Sequence, residues 1–224
     1  MKGTSMYEGH AADHGVGSAE STPLFDPPFP DPPWQRFVVL GDVTAKSPGA
    51  TRGKSGCVPW TDRVAETLRS VRPDLAYLNL GRRGHSATQV RTKQLARALA
   101  FRGDLAAVVA GGHEALGDPF DVDATEAELH RIVGPLRDSG ADVITLGVGP
   151  RLTEPTAEEY RGGLQQRLRL LAARTRELAL QHGALHVDMM GDGDVRRTGA
   201  SDDAVAAAVI RRLRMHLDAT KVAA

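Results

Sequence analysis

From Arg36 onward the chain alternates short, nearly continuous apolar runs with longer stretches whose apolar residues recur at helical spacing. Phe37-Val-Val-Leu40 runs into Gly41, and Leu105 to Ala110 runs into Gly111-Gly112. Leu75 to Leu80, Asp142 to Gly147 and Ala184 to Val187 are the other short runs. Antiparallel strands with one wet face would alternate apolar and polar; continuous runs instead fit strands covered on both faces of a parallel sheet. The stretches between them read as helices over residues 60–70, 88–101, 126–139, 156–182 and 202–217. In the second of these, Val90, Leu95, Ala98 and Leu99 are expected to face inward, and in the third Leu129, Ile132, Val133 and Leu136.

Five strands in this rhythm predict a three-layer α/β/α domain. Its parallel sheet is expected in the flavodoxin-like order 2-1-3-4-5, because crossovers are right-handed. The chain then reverses direction between strands 1 and 3, and ligands bind at the carboxyl ends of strands flanking such a switch point. Topology alone therefore brings Asp42, Val43 and Thr44 toward His113 and Glu114.

The 224 residues suffice for one such domain, expected over 34–224. Residues 1–33 read as an arm. The first twenty are polar without periodicity and are expected to be disordered, and the proline-rich stretch from Pro23 to Pro33, with Phe25 and Phe29, is expected either to be disordered too or to lie as a strap across the domain. The 28 basic and 28 acidic residues balance, which argues against nucleic-acid or anionic-membrane partners. One cysteine, Cys57, makes no internal disulfide, and no apolar run approaches membrane-spanning length. A cytoplasmic chain is the expectation. Its arginine- and alanine-rich composition suggests a GC-rich bacterial genome.

Three blocks then carry a resemblance. Val38-Val-Leu-Gly-Asp-Val-Thr44 resembles the first block of SGNH/GDSL hydrolases, where strand 1 runs into Gly-Asp-Ser. Leu78-Asn-Leu-Gly-Arg-Arg-Gly84 is similar to the second, whose glycine donates an oxyanion-hole N–H. Val108-Val-Ala-Gly-Gly-His-Glu-Ala-Leu116 is similar to the third, Gly-x-Asn-Asp in the family. Trp60-Thr-Asp-Arg-Val and Gly183-Ala-Leu-His-Val-Asp188 extend the resemblance to roughly 36–217.

The resemblance implies an SGNH-hydrolase-like fold, and the departures from it bear on function. The family's nucleophilic serine falls on Val43, which has no lone pair to attack an acyl carbon. Its oxyanion asparagine falls on His113 and the following aspartate on Glu114. The catalytic Asp and His of the last block fall on Gly193 and Arg196. Only Gly84 keeps its family residue. Oxyanion donors and binding alone leave about 10³–10⁴-fold over water in serine hydrolases, too little for ester turnover.

His113 and Asp42 are the catalytic candidates, with Val43, Thr44, Gly84, His85, Gly112 and Glu114 as ligand-binding candidates. Each has a plainer reading. Asp42 is expected to bond nearby amides and fix the turn, Glu114 to be structural, and His113 is equally open to a hydrogen-bonded structural role. Thr44, Ser47 and Cys57 offer alternative nucleophiles without an evident base. Arg82 and Arg83 beside the pocket loop could hold a carboxylate or phosphate. No metal-ligand spacing is present and no cofactor is expected. Three classes of function remain. The first is a non-hydrolytic pseudoenzyme that binds a small molecule, or a protein partner or second copy. The second is an enzyme repurposed as a cyclase, isomerase or lyase, with bacterial specialised metabolism as a plausible setting. The third is an acyl hydrolase or acyltransferase with an unconventional nucleophile.

Overall fold

The computed structural model describes residues 29–42, 58–147, 158–189 and 201–223. Val43, Thr44, Ser47, Cys57, Gly193, Arg196 and the arm before Phe29 lie outside the described residues.

Five parallel strands form one sheet in the order β2-β1-β3-β4-β5: β1 (Arg36–Gly41), β2 (Ala76–Asn79), β3 (Leu105–Val109), β4 (Asp142–Leu146) and β5 (Leu185–Val187). This is the expected order. The register pairs Val38 with Leu78 on one side and Ala106 on the other, so β1 and β3 are interior. Phe37 to Leu40 and Leu105 to Ala107 are fully buried, which is why those runs are apolar on both faces.

The helices are α1 (Trp60–Val71), α2 (Ala87–Val90), α3 (Ala96–Phe101), α4 (Gly112–Leu116), α5 (Val122–Asp138), α6 (Glu158–Gln181) and α7 (Asp202–Ala223). Local chemistry sets their starts. Ser86 and Gln89 form a reciprocal capping box ahead of α2. Asp121 accepts from the Ala124 amide at 2.9 Å, so α5 begins four residues before its expected start. The first-turn N–H of Trp60, which no carbonyl of α1 can reach, donates to Asp202 Oδ1 at 2.9 Å and thereby joins α1 to α7.

One helix departs from expectation in its inner face. A regular α-helix is expected over residues 88–101, but a π-helical turn (Arg91–Leu95) separates α2 from α3. The fully buried positions are Ala87, Val90, Gln94 and Ala98, while Leu95 and Leu99 only lean on the core. A π-turn holds one residue more than an α-turn needs and so rotates the side chains that follow. Here it delivers an amide to the interior.

The proline-rich stretch belongs to the fold from Phe29, four residues before the expected end of the arm. Phe29 and Trp34 are buried in the core. Trp34 Nε1 donates to Asp142 Oδ2 at 2.9 Å, and its ring stacks on His216 of α7 at 6.4 Å. Arg137 reaches the other oxygen of Asp142 at 3.2 Å. One carboxylate at the start of β4 therefore joins the strap, the end of α5 and α7.

Candidate functional site

Asp42, the residue after β1, meets the loop after β3 at the carboxyl edge of the sheet. Asp42 N–H donates to the Val109 carbonyl at 3.0 Å, extending the β1–β3 pairing by one residue. The Asp42 side chain is 1% exposed, and its Oδ2 accepts from the Gly112 amide at 3.1 Å. That geometry fastens the end of β1 to the loop after β3. It gives Asp42 the turn-fixing role expected of it, with its carboxylate turned into the protein. Gly112 is buried and contributes its amide to this link.

Gly111 has φ +97, and a Cβ there would stand 2.9 Å from Leu171 Cδ2 and 3.1 Å from Thr125 Cγ2. Glycine alone meets both demands. The chain then turns into α4, where His113 is exposed and Glu114 half-buried. Glu114 Oε1 accepts a short hydrogen bond from the Ala87 amide at the start of α2. The loop after β3 is thereby bound to the helix that follows the second block. Its other oxygen, Oε2, is buried with no hydrogen-bond partner among the described residues. A buried orphan acceptor is uncommon in folded proteins and calls for a partner.

A groove of about 570 Å³ opens beside these residues. His113 and Glu114 line it from α4, Thr88 from α2, and Thr125, Glu128 and Arg131 from α5. Its charges are largely balanced internally. Glu128 takes Arg91 at 2.6 Å and Arg131 at 2.7 Å. Burial pulls its carboxyl upward, and the two guanidinium groups together outweigh that pull and hold it below the usual range. The Thr125 hydroxyl is committed to the Asp121 carbonyl at 2.7 Å. His113 contributes an exposed imidazole to the described wall of the groove.

The second-block loop supplies Gly84 and His85. Gly84 has φ +75, and an added Cβ would meet nothing within 4 Å, so backbone conformation accounts for this glycine. His85 is half-buried, and its Nδ1 lies 3.0 Å from Nε2 of Gln94. Gln94 is not among the sequence-based candidates, yet it joins His85 to the end of β1 through two hydrogen bonds to Gly41, at 2.9 and 3.0 Å. The available signal was a lone amide four residues after Val90 and four before Ala98, on an otherwise apolar face. Among the described residues no group of three or more His, Cys, Asp or Glu side chains is arranged to hold a metal ion.

The profile of the GDSL-like Lipase/Acylhydrolase family matches residues 39–220. No curated protein matches the chain. The acetylxylan esterase Axe2 from Geobacillus stearothermophilus superposes with a TM-score of 0.62 at 16% identity, over 80% of this chain and 94% of that one. An Axe2 mutant described as an acetyl-xylooligosaccharide esterase gives 0.63 at 15% identity, with the same coverage. LAE5, an alpha/beta hydrolase enzyme from the metagenome of Lake Arreo, Spain, gives 0.62 at 16%, again over 80% and 94% of the two chains. At these identities the likeness concerns the fold.

Proposed function

The chain belongs to the GDSL-like lipase/acylhydrolase family, and from that premise we propose that it binds a small molecule at the carboxyl ends of β1 and β3 without hydrolysing it. What supports this reading most is Val43, which the resemblance aligns with the family's nucleophile and whose side chain can form no acyl-enzyme. Gly193 and Arg196 in place of the last-block acid and base, and the commitment of the Asp42 carboxylate to Gly112, support it. His113 is the central ligand-facing group. An exposed imidazole on the wall of a 570 Å³ groove can donate or accept at neutral pH. The same imidazole would serve a repurposed lyase, cyclase or isomerase as its proton carrier.

Fluorophosphonate labelling and ester, thioester and acetylated-sugar hydrolysis test the first half of the proposal. No stoichiometric label and no turnover above background are expected, and Val43→Ser alone should not restore either. Full labelling at a single serine would overturn the reading. The second half is tested by native mass spectrometry of protein purified from its host. A co-purifying small molecule is expected, at least tenfold depleted in His113→Ala with the fold intact by circular dichroism. Equal occupancy in wild type and variant would remove His113 from the site.

A further inference from the structure

Gln94 is 2% exposed, and its amide makes three contacts. Oε1 accepts from the Gly41 N–H at 2.9 Å. Nε2 donates to the Gly41 carbonyl at 3.0 Å and faces His85 Nδ1 at 3.0 Å. The Gly41 N–H can only donate and its carbonyl only accept, so the orientation of the Gln94 amide is determined by the backbone. Both hydrogens on Nε2 are then used, one on the Gly41 carbonyl and the other on His85 Nδ1. A ring nitrogen facing an N–H is an acceptor, so the neutral His85 ring carries its proton on Nε2.

A second proton, on Nδ1, would point directly at the Gln94 N–H. The imidazole therefore resists becoming imidazolium. Burial lowers its pKa as well, and the neighbouring charges of Lys93 and Arg82 add to the effect. No hydrogen bond of Nε2 is formed among the described residues, and the His85 side chain is half-buried. The Arg82 amide bonds the Gly41 carbonyl at 3.1 Å, and His85 N–H bonds the Arg82 carbonyl at 3.3 Å. This turn keeps Arg82 beside the ring, while Lys93 precedes Gln94 in the π-turn.

We infer that His85 is a fixed, neutral hydrogen-bond donor for an anionic oxygen group of the ligand, with Gln94 as its positioning residue. The charges of Arg82 and Lys93 acting at the ring favour an anionic guest, and the Nε2–H selects the direction from which its oxygen approaches. The Gly41 peptide at the end of β1 anchors both, so the donor is referenced to the same strand that leads into residue 43. The inference rests on the reading that the strand-end cleft binds a ligand, but the state of the ring is measurable without one.

Long-range ¹H–¹⁵N correlation spectra of the full-length protein, assigned by comparison with His85→Phe, report the tautomer directly. The Nε2–H form is expected from pH 6 to 8, with a titration midpoint below that of free histidine. Gln94→Glu keeps an acceptor for the Gly41 N–H but turns a second acceptor toward Nδ1. It should draw a proton onto Nδ1 and raise the midpoint by at least one pH unit. Acetate and inorganic phosphate are the ligand probes, at constant ionic strength in chloride, with N-methylacetamide as the neutral control. Saturable shifts of the His85 ring are expected with either anion, and at least tenfold weaker ones with the neutral amide. The Gln94 side-chain amide should follow the anion titration in the wild type and cease to follow it in His85→Phe. An Nδ1–H ring in the wild type would overturn the inference whatever the fate of Gln94→Glu, as would an unchanged midpoint in a folded Gln94→Glu protein. The expected tautomer with no anion response would overturn the assignment of the guest. A His113→Ala protein that keeps its co-purifying molecule would instead count against the proposed function and leave the His85 tautomer untouched.

Discussion

His186 sits on β5 with its Nδ1 2.9 Å from the Thr145 hydroxyl on β4. Burial, the largest influence, pushes its pKa down to about 4, with Asp188 pulling it up and Arg176 and Arg212 pushing it further down. The folded ring is thus neutral at a pH where the unfolded ring, titrating near 6.5, has taken a proton. The unfolded state then binds more protons, so stability is complete above about pH 6.5 and falls as pH drops toward 4. The loss attributable to this residue is on the order of 2 kcal/mol by pH 5. Urea unfolding at pH 7 and pH 5 should show that drop in the wild type and a clearly smaller one in His186→Leu. An equal drop in the two proteins would assign the acid sensitivity elsewhere. No such pH-linked role was legible in the sequence, where His186 is one polar residue between Leu185 and Val187. Its burial comes from tertiary packing across β4. Glu114 poses the same difficulty: its sequence neighbours do not disclose that it reaches the Ala87 amide, 27 positions away.

The strands were readable from their continuous apolar runs and most helices from their periodic apolar faces. The sheet order followed from their alternation and the handedness of crossovers. The elements that escaped are those decided by a local irregularity. The π-turn at Arg91–Leu95 has no distinctive composition, and Gln94 shows on the inner face only once the extra residue is counted. Helix α4 has five residues, too few for a period, and begins at the second of two glycines that read as loop. At this junction Gly111→Ala is the informative substitution. It would force an L-residue into φ +97 and press a methyl against Leu171 and Thr125. The expected cost is roughly 2–4 kcal/mol of unfolding free energy, measured by urea denaturation. A change below about 0.5 kcal/mol would mean that the α4 junction relaxes freely.

The whole molecule is held at its two sheet edges by different means. Near the amino ends of the strands, Gln35 and Arg36 amides both take the Asp104 carboxylate at 2.8 Å, and Asp142 gathers the strap, α5 and α7. Near the carboxyl ends lies the candidate site, where Asp42, Glu114 and Gln94 each join two loops or a loop and a helix. The strap's contribution can be separated from that of the polar arm. Deleting residues 1–20 should move the thermal midpoint by no more than a few degrees, whereas Trp34→Ala should cost about 3–5 kcal/mol. A large loss from the deletion would show that the arm packs on the domain. Differential scanning calorimetry of both proteins decides the matter. The Asp142 junction has one more consequence, a mechanical one. Trp34 stands two residues before β1 and meets His216 of the last helix at a single carboxylate. Tension applied between the two ends of the domain would load this latch before it could peel β1 out of the centre of the sheet, so the first force event should be its release, with the site-bearing strand ends still intact.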